Sequence, residues 1–173
     1  WLKADKQGPL GYLADHRREP RKNVNLVNPQ SKSALCFLFS YKDIRQKAQH
    51  FYESDNSNGL RVACYTLAYG DDDYHRVIPE HLKSILEKLN IEGQAVIDIQ
   101  PVLDRDLAYR TGLGWYGKNS MLIHRQEGSF LLIGSLLLNK TLPLETRIRE
   151  TDHCGQCVAC IDACPTLAIE PET

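Results

Sequence analysis

The spacing of hydrophobic positions changes along this chain, and each change predicts an element. SALCFLFSY (33–41) is a continuous apolar run of strand length. From Ile78 the apolar positions fall at Leu82, Ile85, Leu86 and Leu89, the spacing of one helix face. Pro79 suits the first turn of that helix and Asn90 its end. QAVIDI (94–99) reads as a buried strand, and DLAYRTGLG (106–114) as a helix closed by glycines. SMLIHR and SFLLIGSLLL flank the turn signal QEGS, so they are expected as the two arms of a hairpin. ESDNSNG (53–59) is a polar loop. Strands and helices are mixed and at least one strand pair is antiparallel. The prediction is an α+β fold with a mixed sheet over residues 1–148, followed at 149–173 by a segment of another kind.

Length and composition narrow the class. The chain has 173 residues, enough for one domain or one domain with a small module. It is 42% hydrophobic and 25% charged, the balance of a soluble globular protein. A net charge of −1 gives no global basic field for nucleic acid. No apolar run reaches about eighteen residues, so no membrane span is expected. WLKADKQGPLGYL lacks the form of a signal peptide, and it begins with Trp1 rather than Met, so sequence is expected upstream.

Four of the six cysteines lie in HCGQCVACIDACPT (153–166), at Cys154, Cys157, Cys160 and Cys164. Gaps this tight do not suit disulfides between the four, and such clusters hold metal in a reducing cytosol. A zinc ribbon needs two C-x2-C knuckles with a longer spacer. The pattern here is C-x2-C-x2-C-x3-C-P, the bacterial ferredoxin run, which points to [4Fe–4S] ligation. In two-cluster ferredoxins the fourth cysteine of the run serves the other cluster. On that rule Cys154, Cys157 and Cys160 await a fourth thiolate and Cys164 awaits three. The chain reaches Thr173 without a second cysteine group, so a continuation beyond it is expected. Cys36 (ALCFLF) and Cys64 (VACYTL) read as buried core thiols.

Three further features invite chemistry. Asp98 interrupts an apolar run, either as a buried acid or as a turn or cap residue before the next helix. GLGWYGKNS (112–120) packs three glycines among two aromatics and a lysine. Such a loop suits a flat or anionic ligand, or a tight helix-to-strand turn. HRREPRK (16–22) is a basic cluster, either a solvated face or an anion contact.

Taken in order, several segments resemble the epoxyqueuosine reductase family: RKNVNLVNP (21–29), GDDDYHR (70–76), IDIQPVLDRDLAYRTGLGWYGKNSMLI (97–123), GSFLLIGSLLLN (128–139) and CGQCVACIDACPTLAI (154–169). The resemblance covers nearly the whole chain. It implies a cytoplasmic, monomeric enzyme that reduces epoxyqueuosine to queuosine at the wobble position of tRNA. The implied cofactors are base-off cobalamin, in an α+β domain, and two [4Fe–4S] clusters fed by a flavodoxin- or ferredoxin-type donor. By the same resemblance Asp98 is the proton donor, made a weaker acid by its apolar flanks Val96, Ile97 and Ile99. Arg21 is implied to contact cobalamin. Asp73, Tyr74, His75, Lys118, Asn119 and Ser120 are carried over to the corrinoid pocket. His75 is not expected to ligate cobalt, because the family binds cobalamin without a protein histidine below the metal.

The chain lacks the family's second cysteine group, its C-terminal helical-repeat region and its N-terminal segment. It is therefore expected not to complete the electron relay alone, and the family's tRNA contacts lie largely in the missing part. Two rival readings remain: a ferredoxin-type carrier whose first 148 residues only dock a partner, and a corrinoid-dependent reductase of another substrate. Cobalamin binding separates the first rival from the reductase.

Overall fold

The computed structural model describes residues 2–4, 7–54, 61–143 and 149–170. In chain order its elements are α1 (Arg18–Lys22), β1 (Ser33–Ser40), α2 (Lys42–Ser54), α3 (Tyr74–Leu89), β2 (Gly93–Val96), α4 (Asp104–Arg110), β3 (Trp115–Tyr116), β4 (Leu122–Ile123), β5 (Leu131–Leu138) and α5 (Ala159–Asp162). The fold is α+β with two small sheets, of order β1-β5-β2 and β3-β4. Among the described residues no helix is long and apolar enough to cross a membrane.

The chain forms two compact units. One is Trp1–Phe37, Asp72–Asp104 and Gly134–Leu144; the other is Leu38–Asp71, Arg105–Ile133 and Glu145–Thr173. The division expected after residue 148 therefore does not coincide with the division between units, because Glu145–Thr173 clusters with the second.

In the first unit β2 runs antiparallel to β5, from Gly93 opposite Leu138 to Val96 opposite Ser135. Leu136, Leu137 and Leu138 are all buried, so both faces of β5 are covered. Ile78, Leu82 and Leu86 recur every fourth residue on α3 and are likewise buried. The Asp73 carboxylate caps α3 by accepting the His75 N–H. At the other end Asn90 adopts the left-handed conformation at φ 51°, and the Ile91 N–H returns to the Leu86 carbonyl. This is the end the sequence predicts. The start is not. Asp73 begins the helix four residues early, so Pro79 lies inside it and leaves the His75 carbonyl without its usual donor.

Two other expectations change. β2 ends at Val96, not Ile99. The Ile97 N–H goes to the Gln100 side chain, and the Gln100 N–H returns to the Ile97 carbonyl, so Asp98 sits in a turn. The anticipated hairpin is reduced to one bridge, His124 with Gly128, because β4 pairs backwards with β3. The glycine-closed helix is present as α4. There the Leu113 N–H reaches the Ala108 carbonyl and Gly112 takes φ 74°.

In the second unit α2 was not anticipated. Of the polar loop expected at 53–59, Glu53 and Ser54 end α2, and the rest lies outside the described residues. Ala48 on α2, Ala108 on α4, Trp115 on β3 and Leu122 on β4 are buried. The Cys36 and Cys64 thiols are half-buried rather than fully buried. In the first unit, the Ser135 hydroxyl contacts the Cys36 sulfur at 3.4 Å.

Candidate functional site

Within the first unit, the start of α3 and the turn after β2 bring two predicted residues, Tyr74 and His75, to the Asp98 carboxylate. The Tyr74 hydroxyl donates to Asp98 Oδ2 at 2.7 Å. His75 Nε2 lies 3.3 Å from Asp98 Oδ1, and His75 Nδ1 lies 2.7 Å from Asp73 Oδ1. The Tyr74 and His75 rings lie 3.9 Å apart at an interplanar angle of 31°. The cap of α3 and the β2 turn thus create an Asp73–His75–Asp98 chain with a tyrosine on its second oxygen. Asp73 is held below the ordinary carboxylate range, first by the His75 backbone N–H and then by the His75 ring.

This chain has a chemical consequence. A neutral imidazole has one N–H, and bonding to two carboxylates needs two protons among the three groups. Asp98 is thus a turn residue whose carboxylate is met by two side chains, the Tyr74 hydroxyl and the His75 ring. The desolvation anticipated from Val96, Ile97 and Ile99 is absent. The Asp98 side chain is 57% exposed, Val96 and Ile97 are buried away from it, and Ile99 is itself exposed.

The basic cluster at 16–22 is mostly neutralised locally. Arg17 forks onto Asp15, and Lys22 bonds Glu19 at 2.7 Å. Arg21 differs. Its guanidinium donates only at 3.5 Å, to the carbonyls of Tyr12 and Leu13, and has no carboxylate partner among the described residues.

Within the second unit, the glycine loop and the cysteine run meet. A Cβ on Gly114 would lie 2.3 Å from the Ile123 carbonyl oxygen, so glycine there serves the close β3–β4 approach. The tight-turn reading of this loop is the structural one. The Asn119 side chain accepts the Met121 N–H at 3.1 Å. Ser120 has φ 60°, and its carbonyl accepts from Arg105 at 2.6 Å. Lys118 reaches the cysteine loop, donating to the Gly155 carbonyl at 2.7 Å and the Cys157 carbonyl at 3.0 Å.

Around the cysteines, the Cys157 N–H returns to the Cys154 carbonyl, closing a turn. Cys160 lies on α5, and the Cys164 N–H bonds the Ile161 carbonyl. The Cys164 thiol is pulled down to about 7, chiefly by the Ile169 backbone N–H, then the Thr166 side chain and the Ala168 N–H. Among the described residues no three His, Cys, Asp or Glu side chains gather closely enough to hold a metal ion.

Sequence reasoning missed two supports of this loop. The Asp152 carboxylate accepts the Cys154 N–H at 2.7 Å, which holds its own pKa down. The Trp115 ring meets His153 edge-on at 4.9 Å. The first was readable, since an aspartate two residues before a loop N–H is an Asx-turn signal. The second links positions far apart in sequence and carries no local signal.

Known proteins agree with this chain over nearly all its length. The family model described as "Epoxyqueuosine reductase QueG, DUF1730" matches residues 21–104. An epoxyqueuosine reductase of Leadbetterella byssophila is 39% identical over 99% of this chain and 54% of its own length. One from Cyclobacterium marinum is 37% identical over 98% of this chain and 53% of its own length. A crystal structure of epoxyqueuosine reductase with an epoxyqueuosine-modified tRNA-Tyr stem loop superimposes with a TM-score of 0.70 at 27% identity. That match covers 97% of this chain and 45% of the solved one. The chain spans about half the length of the curated relatives it matches.

Proposed function

Because the chain belongs to the epoxyqueuosine reductase family, we propose that it supplies the catalytic acid, the cobalamin site and one cysteine group of an enzyme reducing epoxyqueuosine in tRNA to queuosine. The observation that carries this reading is the convergence of Tyr74 and His75 on Asp98, with Asp73 behind His75. Removing the epoxide oxygen reductively, as water, takes two electrons and two protons. Cobalamin and [4Fe–4S] clusters, when bound, supply the electrons that side chains lack.

The residue types and their spacing suit both groups, although among the described residues no three ligand side chains are gathered. Four cysteines in the ferredoxin spacing would ligate iron as thiolates, and the backbone N–H groups aimed at the Cys164 sulfur favour that form. Arg21, with donor capacity left over, would meet the polar rim of the corrinoid, together with Asp73, Tyr74 and His75 of the same unit. On this reading residues 1–148 carry the cobalamin site and 149–173 open the cluster module, in a cytoplasmic monomer served by a flavodoxin- or ferredoxin-type donor.

The protein's own part is proton management. Asp98 gives its proton to the departing oxygen while the Tyr74 hydroxyl fixes the orientation of its carboxyl. His75, held by Asp73, returns a proton to Asp98 for the next turnover.

The test is anaerobic. The full chain is titrated with cobalamin and followed in the visible spectrum, then assayed for iron and sulfide. The expected result is a base-off spectrum saturating at micromolar cofactor. No spectral change at high micromolar cobalamin, with iron still bound, would replace the reductase by a simple electron carrier.

A further inference from the structure

We propose that Lys118 is the positioning residue of the cysteine loop, holding Cys154 and Cys157 in register for a metal centre. The proposal rests on reading the cysteines as cluster ligands. The turn Cys154–Cys157 is closed by one backbone bond of 2.9 Å, with Gly155 at φ 50°. That bond uses the Cys154 carbonyl, and the carbonyls of Gly155 and Cys157 both accept from the Lys118 ammonium instead. One cation thus ties the entry and exit of the turn to a single point. A lysine suits this task, since its compact charge has three rotatable donors.

The anchor is itself well held. Lys118 lies in a turn closed by the Ser120 N–H to the Gly117 carbonyl (2.8 Å) and the Gly117 N–H to the Met121 carbonyl (2.9 Å). The Asn119 side chain adds a third bond, to the Met121 N–H. The loop's other supports, Asp152 on the Cys154 N–H and Trp115 on His153, act at or before Cys154. Lys118 holds the stretch beyond it. Ordering a lysine stem costs conformational entropy that an exposed lysine would keep, so two short bonds to one loop mark a committed contact. The charge has a second effect. A cation beside a thiolate-ligated cluster favours the more negative, reduced state.

The experiment compares the full chain with Lys118→Met and Lys118→Arg. In the metal-free protein, amide exchange at Cys157 and the following loop should speed up about tenfold in Lys118→Met and stay near wild type in Lys118→Arg, with the amides of β5 unchanged. Cadmium, followed by its thiolate absorbance, should bind about 10–100-fold more weakly to Lys118→Met, the usual loss when an outer support of a metal site goes. After reconstitution the cluster potential should move negative in Lys118→Met and hold in Lys118→Arg. Unchanged exchange and cadmium affinity in Lys118→Met would overturn the proposal. Loss of β5 protection in that variant would overturn it too, because Lys118 would then support the fold at large. If the wild-type chain takes up no iron and sulfide, the cluster reading falls, while the exchange and cadmium results still decide the role of Lys118.

Discussion

Replacing Gly114 by alanine puts a methyl group where there is no room for one. The added Cβ would lie 2.3 Å from the Ile123 carbonyl oxygen and 2.9 Å from its carbon, while real Cβ atoms essentially never come under 3.0 Å. β3 and β4 would have to part by about 0.7 Å, and both obstructing atoms are backbone, so no side chain can swing aside. The ladder has only two residue pairs, Trp115 with Ile123 and Tyr116 with Leu122, so little else holds it. Forced overpacking costs about 1–3 kcal/mol. Weakening one neighbouring backbone bond adds about 0.5–1.5 kcal/mol. The stiffer unfolded chain of alanine returns about 0.4–1 kcal/mol. The net expectation is a loss of about 2 kcal/mol, read as a lower urea midpoint at constant slope. Gly11→Ala is the control, because nothing lies within 4 Å of the Cβ it would add, and its change should stay within about 0.5 kcal/mol. If the two variants unfold alike, the close β3–β4 approach is wrong, and so is the platform it gives Lys118.

In an intact enzyme carrying this domain, Asp98→Asn should keep cobalamin and lose about 10²–10⁴-fold in turnover, measured in single-turnover reduction of modified tRNA; full speed would assign the proton elsewhere. Tyr74→Phe removes one hydrogen bond to Asp98 and should cost about tenfold or less in the same assay. In the metal-free chain, Cys164 should alkylate with a midpoint near pH 7, because its thiol stands at about 7 against an ordinary 9.0. At pH 7 roughly half is thiolate against about 1% of an unshifted thiol, and the lower nucleophilicity of a more acidic thiol trims this to a rate advantage of about fivefold by mass spectrometry. A depressed thiol favours the fold above its unfolded value, and this contribution is lost as pH falls through about 7. Leu136→Ala, at a fully buried position of β5, should cost about 2–5 kcal/mol in denaturant unfolding, whereas Leu89→Ala, half exposed at the end of α3, should cost well under half of that.

What the sequence revealed tracks how local each signal was. β1 and the buried face of α3 were legible because Ser33–Ser40 is continuously apolar and Ile78, Leu82 and Leu86 share a helical period. The end of β2 was not, because hydrophobicity persists through Ile99 while the Gln100 side chain captures the Ile97 N–H and turns the chain. The hairpin failed for a related reason: β4 has two neighbours in sequence, and a glycine-permitted approach gives it to β3. The site was half legible. Asp73, Tyr74, His75 and Asp98 were all singled out, but their mutual bonds depend on the three-dimensional placement of the α3 cap against the β2 turn. Lys118 was singled out for the corrinoid, whereas its visible partners are cysteine-loop carbonyls, a pairing across nearly forty residues that no spacing rule encodes.

The order in which the compact units draw on the chain constrains how this protein can be born. Each is assembled from three separated stretches, alternating along the sequence. β5, the strand bonded to both β1 and β2, is synthesised after both of them. A nascent chain that has emerged only to Arg110 therefore holds two strands with no partner between them, exposing unpaired edges and apolar faces. Folding must wait for residues beyond Leu131, and its contacts then close long loops, which makes it slow. Any cleavage between Lys42 and Leu131 would separate β1 from β5 covalently, so neither unit can be prepared as an uninterrupted piece of the gene.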